Sequence, residues 1–85
     1  MQRDCLILFR SLTYAQRAER VLERAGITAT IRKAPQSVSD RGCTYCVKIH
    51  AARMERALAV LEQTRLQTGR VFVAEADGTL QEVRR

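Results

Sequence analysis

What this chain of 85 residues has little of narrows it first. It carries one proline and four glycines in a composition that is 46% hydrophobic and 28% charged. That mix is too apolar for disorder and too even for a low-complexity segment, and no repeat of solenoid length is present. The opening stretch, MQRDCLILFR, sets one arginine ahead of an apolar run of only five residues. A signal-peptide core or a membrane span needs far more. No other stretch approaches a span, so a cytoplasmic protein with no membrane partner is expected. Histidine occurs once, and no nucleophile–base pair, paired carboxylates or phosphate-cradling glycine loop is visible. The chain is not expected to be an enzyme.

Cysteine is also scarce. Three cysteines in a reducing compartment point to thiols or metal ligands rather than to a disulfide framework. What the chain does have is positive charge: 15 Lys and Arg against nine Asp and Glu, a net +6. That balance favours anionic partners, or reflects no more than solvated arginines.

The order of elements follows from periodicity. CLILFR (5–10) is a continuous apolar run, the mark of a central strand. Leu12, Ala15, Ala18, Val21, Leu22 and Ala25 then recur at three- and four-residue steps as one helical stripe, with Ser11 as N-cap and Gly26 as stop. Glu19 and Glu23 alternate with Arg20 and Arg24, which reads as a solvated surface. Strand ITATIRK (27–33) alternates, Pro35 ends it, and a polar loop leads to CTYCVKIH. There Tyr45, Val47 and Ile49 share one face, and Cys46, Lys48 and His50 the other. A second helix is expected from about Ala51, with Met54, Ala57, Leu58 and Leu61 as its stripe and Gly69 as its stop. RVFVAEA is a strand, and Asp77-Gly78 signals a hairpin to TLQEV.

The order β-α-β-β-α-β predicts a single α+β domain over 1–85, the ferredoxin-like split βαβ arrangement. It has a four-stranded antiparallel sheet with both helices on one face, and room for an extra C-terminal edge strand. The other face should be open and cationic, with Cys46, Lys48 and His50 beside Arg32, and Arg10 close by.

Two cysteines three apart, Cys43 and Cys46, raise the question of chemistry. Zinc through Cys43, Cys46, Cys5 and His50 is opposed by distance, because His50 lies about 13 Å along the strand from Cys46. A two-thiol site for a soft ion stays open, but neither a metal nor a cofactor is expected. A thioredoxin-like pair needs a helix after the motif, whereas VKI continues a strand. The reading that fits best is one reactive thiol. Cys43 follows Gly42 and Arg41, and Arg32 and Lys48 can lower its pKa. Cys46 is then a resolving thiol or packing, and Cys5 a small buried hydrophobe. An inert Cys43 at a strand start is the alternative.

Several short elements carry a resemblance. LFRS at 8–11, Ala18 and Glu19 in the helix, GI at 26–27, AP at 34–35 and GC at 42–43 ahead of YCVKI resemble the putative selenium/sulfur carrier protein-like family over roughly residues 5 to 73. The chain departs from the family pattern at Thr44, where glycine is usual, in the turn at APQ, and by having Cys46. The resemblance implies a cysteine that carries sulfur or selenium as a persulfide or perselenide, and that role maps onto Cys43. It also implies a sulfur- or selenium-donating protein as partner. The competing reading is a basic nucleic-acid-binding module, or a regulatory module that forms a homodimer, using the open sheet face. Stacking aromatics are missing from the central strands of that face, so nucleic acid is disfavoured there.

Overall fold

The computed structural model describes residues 3–38 and 44–83. Strand β1 (Asp4–Phe9) leads into helix α1 (Leu12–Arg24), then β2 (Thr30–Lys33), β3 (Tyr45–His50), helix α2 (Met54–Gln63), β4 (Val71–Ala74) and β5 (Leu80–Val83). All pairings are antiparallel, and the sheet order is β2-β3-β1-β4-β5. The first four strands give the ferredoxin-like arrangement expected from the sequence, and β5 is the added edge. The hairpin signalled by Asp77-Gly78 forms, but not as the two-residue turn with both residues left-handed: the Gly78 amide donates to the Glu75 carbonyl at 2.9 Å, and Gly78 alone is left-handed. Gly78 takes a positive φ of 90°, and Asp77 Oδ1 accepts a hydrogen bond from the Thr79 amide at 2.9 Å.

β1 lies between β3 and β4, and its residues from Cys5 to Phe9 are all buried, because both faces of the sheet are covered there. Cys5, Ile7 and Phe9 point to the helices and pack with Val47, Ile49 and Val71 against Ala15, Ala18 and Leu22 of α1 and Ala57, Leu58 and Leu61 of α2. Each large side chain buried here, such as Phe9 or Leu22, contributes about 1.5–3 kcal/mol. Leu12, placed in the stripe by its spacing, is instead 41% exposed at the first turn of α1.

The helix ends show how local chemistry sets boundaries. Ser11 Oγ accepts from the Tyr14 amide at 3.3 Å, satisfying one of the four unpaired donors of α1. At the other end Gly26 has φ +81°. The Gly26 and Ile27 amides bond back to the Glu23 and Leu22 carbonyls at 3.0 and 2.9 Å, a Schellman closure. Helix α2 starts without a side-chain cap, through a single 3-10 turn at Ala51–Arg53. It does not run on to Gly69. The Arg65 and Leu66 amides bond to the Glu62 and Leu61 carbonyls at 3.0 and 3.1 Å, so the same closure forms with Arg65 at the left-handed position, φ +59°. Gly69 serves the sheet instead: its amide donates to the Leu8 carbonyl at 2.7 Å.

The second face of the sheet is not open. Leu6, Leu8, Cys46 and Phe72 form a smaller apolar cluster there, with Ala34 and Leu80 at its margin. Val38 closes over it from the β2–β3 loop, brought back by a turn in which its amide donates to the Pro35 carbonyl at 3.0 Å. The turn opened by Pro35 thus adds an apolar side chain to a face that the sequence led us to expect open, and that face holds a second core.

Candidate functional site

The alternation of β3 puts Cys46 and Lys48 on the face away from the helices, and the register sets Arg32 directly across from Cys46 and Thr30 across from Lys48. On the other side Leu8 faces Cys46 and Leu6 faces Lys48. A depression of about 210 Å³ opens at this point, floored by Leu6 and Cys46 and rimmed by Asp4, Arg32, Pro35 and Lys48. The grouping of Cys46, Arg32 and Lys48 expected from sequence is therefore present. Arg10 is not part of it. It lines a separate depression with Tyr14 and Arg17. His50 is exposed at the end of β3, opposite Asp4.

Cys46 is 1% exposed and is a free thiol. Its Sγ lies 4.0 Å from the Lys33 carbonyl, to which the S–H can donate. Burial pushes its pKa up, and the Arg32 charge opposes that rise. Cys5 is 0% exposed among the side chains under the helices, and burial pushes its thiol up from 9.0 to about 11. Both thiols are held in the protonated form, which is neither the nucleophile nor the metal ligand. Among the described residues no three His, Cys, Asp or Glu side chains cluster as a metal site would require.

Cys43, Gly42 and Arg41 lie outside the described residues. The chain just after them is fixed: the Ala34 amide donates to the Thr44 carbonyl at 2.9 Å, which extends the β2–β3 pairing by one step beyond Lys33 and Tyr45. The loop thus leaves and re-enters the sheet next to the cationic rim.

The family described as putative Se/S carrier protein-like matches residues 4–72. The chain belongs to that family. The matched segment spans β1 through the first half of β4, and so contains the site and both helices but not the terminal hairpin strand. No curated protein and no solved structure matches the chain.

Sequence reasoning missed two residues of this region. Asp4 reaches the rim because β1 begins one residue before its apolar run, and its even-numbered alternation with Leu6 and Leu8 was a usable signal. Val38 is a lone apolar residue in a polar loop, with no period to mark it. Phe72, the aromatic that the sheet face could have offered to a base, is 3% exposed. The Arg70 guanidinium sits 4.9 Å from its ring centroid. The same guanidinium forks onto Glu82 at 3.1 and 2.9 Å. Among the described residues, no helix is long and apolar enough to cross a membrane.

Proposed function

We propose that the protein is a cytoplasmic sulfur or selenium carrier, not an enzyme, and that Cys43 is the carrying residue. The observation that carries the reading is the withdrawal of the other two cysteines. Cys5 and Cys46 are buried and kept protonated, so the thiolate that family membership calls for falls to Cys43, in the Gly-Cys dipeptide at 42–43. Arg32 and Lys48 on the neighbouring rim, with Arg41 adjacent in sequence, supply positive charge that would favour a thiolate.

The transfer is an exchange with a donor protein's persulfide, R–S–SH. The Cys43 thiolate attacks the terminal sulfur, the donor's S–S bond breaks, and its electron pair leaves on the donor as R–S⁻. The new Cys43 Sγ–S bond holds the terminal sulfur with its proton, so atoms and charge balance with no added oxidant. Delivery to an acceptor is the same step in reverse, and the selenium case differs only in the atom carried.

The test is alkylation of each cysteine against pH on the native protein, read by peptide mass spectrometry, followed by loading from a persulfide donor. The expected result is a fast Cys43 with a pKa well below about 8.5, with Cys5 and Cys46 slow. One added sulfur should appear on Cys43, persist in Cys46→Ser and vanish in Cys43→Ser. A Cys43 that alkylates no faster than Cys46, or sulfur appearing on Cys46 instead, would overturn the assignment.

A further inference from the structure

The strongest unassigned feature lies among the helices, apart from the depression at Cys46. Written as a line, α1 alternates Glu19, Arg20, Glu23 and Arg24, but a helix turns about 100° per residue. That rotation gathers Arg17, Arg20 and Arg24 within an arc of about 60° and leaves Glu19 and Glu23 beyond Arg20, on the flank away from Arg17. The arginine flank faces the turn that closes α2. Two adjoining depressions, of about 270 and 360 Å³, run between them. Arg10, Tyr14, Arg17 and Arg65 line the first. Arg17, Arg20, Arg24 and Arg65 line the second.

Three observations point to a ligand. The five arginines make no side-chain hydrogen bond or ion pair among the described residues, where the ion pairs are Arg3–Glu75 and Arg70–Glu82. Five guanidiniums along one groove with no carboxylate between them repel one another until an anion joins them. The charge is all arginine, whose planar fork matches phosphate oxygens bidentately. Arg65 also holds φ +59° at a helix closure where glycine would fit without strain, and it lines both depressions. Strained backbone retained at such a point is a recurrent mark of function. Tyr14, 41% exposed, stands at one end as a flat apolar surface.

We propose that this groove binds a single-stranded nucleic acid, with the arginines on successive phosphates and Tyr14 stacked on a base. A charged groove with an aromatic platform is how such strands are held without sequence preference. A protein partner would instead need an apolar centre to its interface, whereas five of the ten residues lining this groove are arginines and Tyr14, Val21 and Leu66 are its apolar members. The other face of the sheet offers a nucleic acid no stacking surface, since Leu6, Leu8 and Phe72 are buried there. The inference does not depend on Cys43.

The test is fluorescence anisotropy of a labelled oligouridylate of about 12 nucleotides titrated with the full chain over a range of salt. With up to five phosphate contacts, the slope of log K against log salt should approach about −3.5. Arg17→Gln/Arg24→Gln should weaken binding about 25-fold at about 0.1 M salt, or about 5-fold per lost contact, and flatten the slope by about 1.4. Arg32→Gln/Lys48→Gln removes the same charge from the sheet face and should leave affinity within about 3-fold, the small long-range change expected of screened charges. Tyr14→Ser should cost about 5-fold or more through lost stacking. Equal losses in the two double variants, a larger loss in the sheet-face pair, or binding to an acidic peptide but not to the oligonucleotide would each overturn the proposal, as would no binding at all. Unchanged circular dichroism of every variant confirms that the comparison is between folded proteins.

Discussion

Replacing Arg65 with glycine should make the protein more stable. The residue sits at φ +59° in the turn that closes α2, and a side chain in that left-handed region costs about 1–2 kcal/mol through the clash of Cβ with the following carbonyl. Glycine removes the clash but loses about 0.5–1 kcal/mol more backbone entropy on folding. At the middle of both ranges the balance is a gain of about 0.75 kcal/mol, which for a chain of this size raises Tm by about 3–6 °C. No hydrogen bond of the Arg65 side chain to a described residue is forfeited. Removing one of five clustered positive charges would also relieve repulsion, so the gain needs a control. Arg65→Ala discards the same charge and keeps the Cβ. Thermal unfolding by circular dichroism on the three proteins separates the effects: Arg65→Gly should exceed Arg65→Ala by the backbone contribution. A Tm for Arg65→Gly at or below the parent, or equal gains in the two variants, would refute the strain argument. If the groove binds nucleic acid as proposed, the stabilised Arg65→Gly protein should bind about 5-fold more weakly, a direct exchange of stability for function.

Two further outcomes follow from the two cores. Cys5 has a folded-state pKa of about 11 against 9.0 for the free thiol, so the native state holds that proton more tightly than the unfolded chain. Its contribution is full below about pH 9 and is lost as pH rises through about 11, a swing of about 2–3 kcal/mol. Urea midpoints should therefore fall more steeply with alkaline pH in the parent than in Cys5→Ala, and parallel profiles would contradict the burial. Val38→Ala should cost about 1–2 kcal/mol and speed alkylation of Cys46, because Val38 packs in the cluster that buries that thiol; an unchanged Tm together with an unchanged alkylation rate would mean that the loop does not cover the sheet.

The elements that the sequence made legible are those whose signals are local and periodic. Tyr45, Val47 and Ile49 alternate with Cys46, Lys48 and His50, and that pattern fixes both the strand and the sides of its residues. Ser11, Gly26 and Asp77-Gly78 sit where a cap, a stop and a turn need those side chains or that backbone freedom. What was not legible depended on tertiary closure. Arg65 ends α2 in a conformation that its side chain disfavours, so glycine at 69 drew the boundary too far. Val38 has no periodic neighbours, and only the folded turn at Pro35 reveals that it packs in the same cluster as the buried Cys46. The arginine flank of α1 is a different case. Its arc was computable from the sequence, but reading the charges as alternating along the chain concealed their separation around the helix.

Strand β5 has one more consequence. Without it, Val71, Phe72, Val73 and Ala74 would form the outermost strand, with unpaired amides and carbonyls beside apolar side chains, a template on which other chains can stack. The Asp77-Gly78 turn lays Leu80–Val83 along that margin and puts Gln81 and Glu82 outermost, both exposed. The opposite margin, β2, carries Arg32 and Lys33. The family match stops at residue 72, inside β4. Strand β5 thus takes the edge position from an almost wholly apolar strand and gives it to one that carries Gln81 and Glu82, a margin less suited to pairing with another chain.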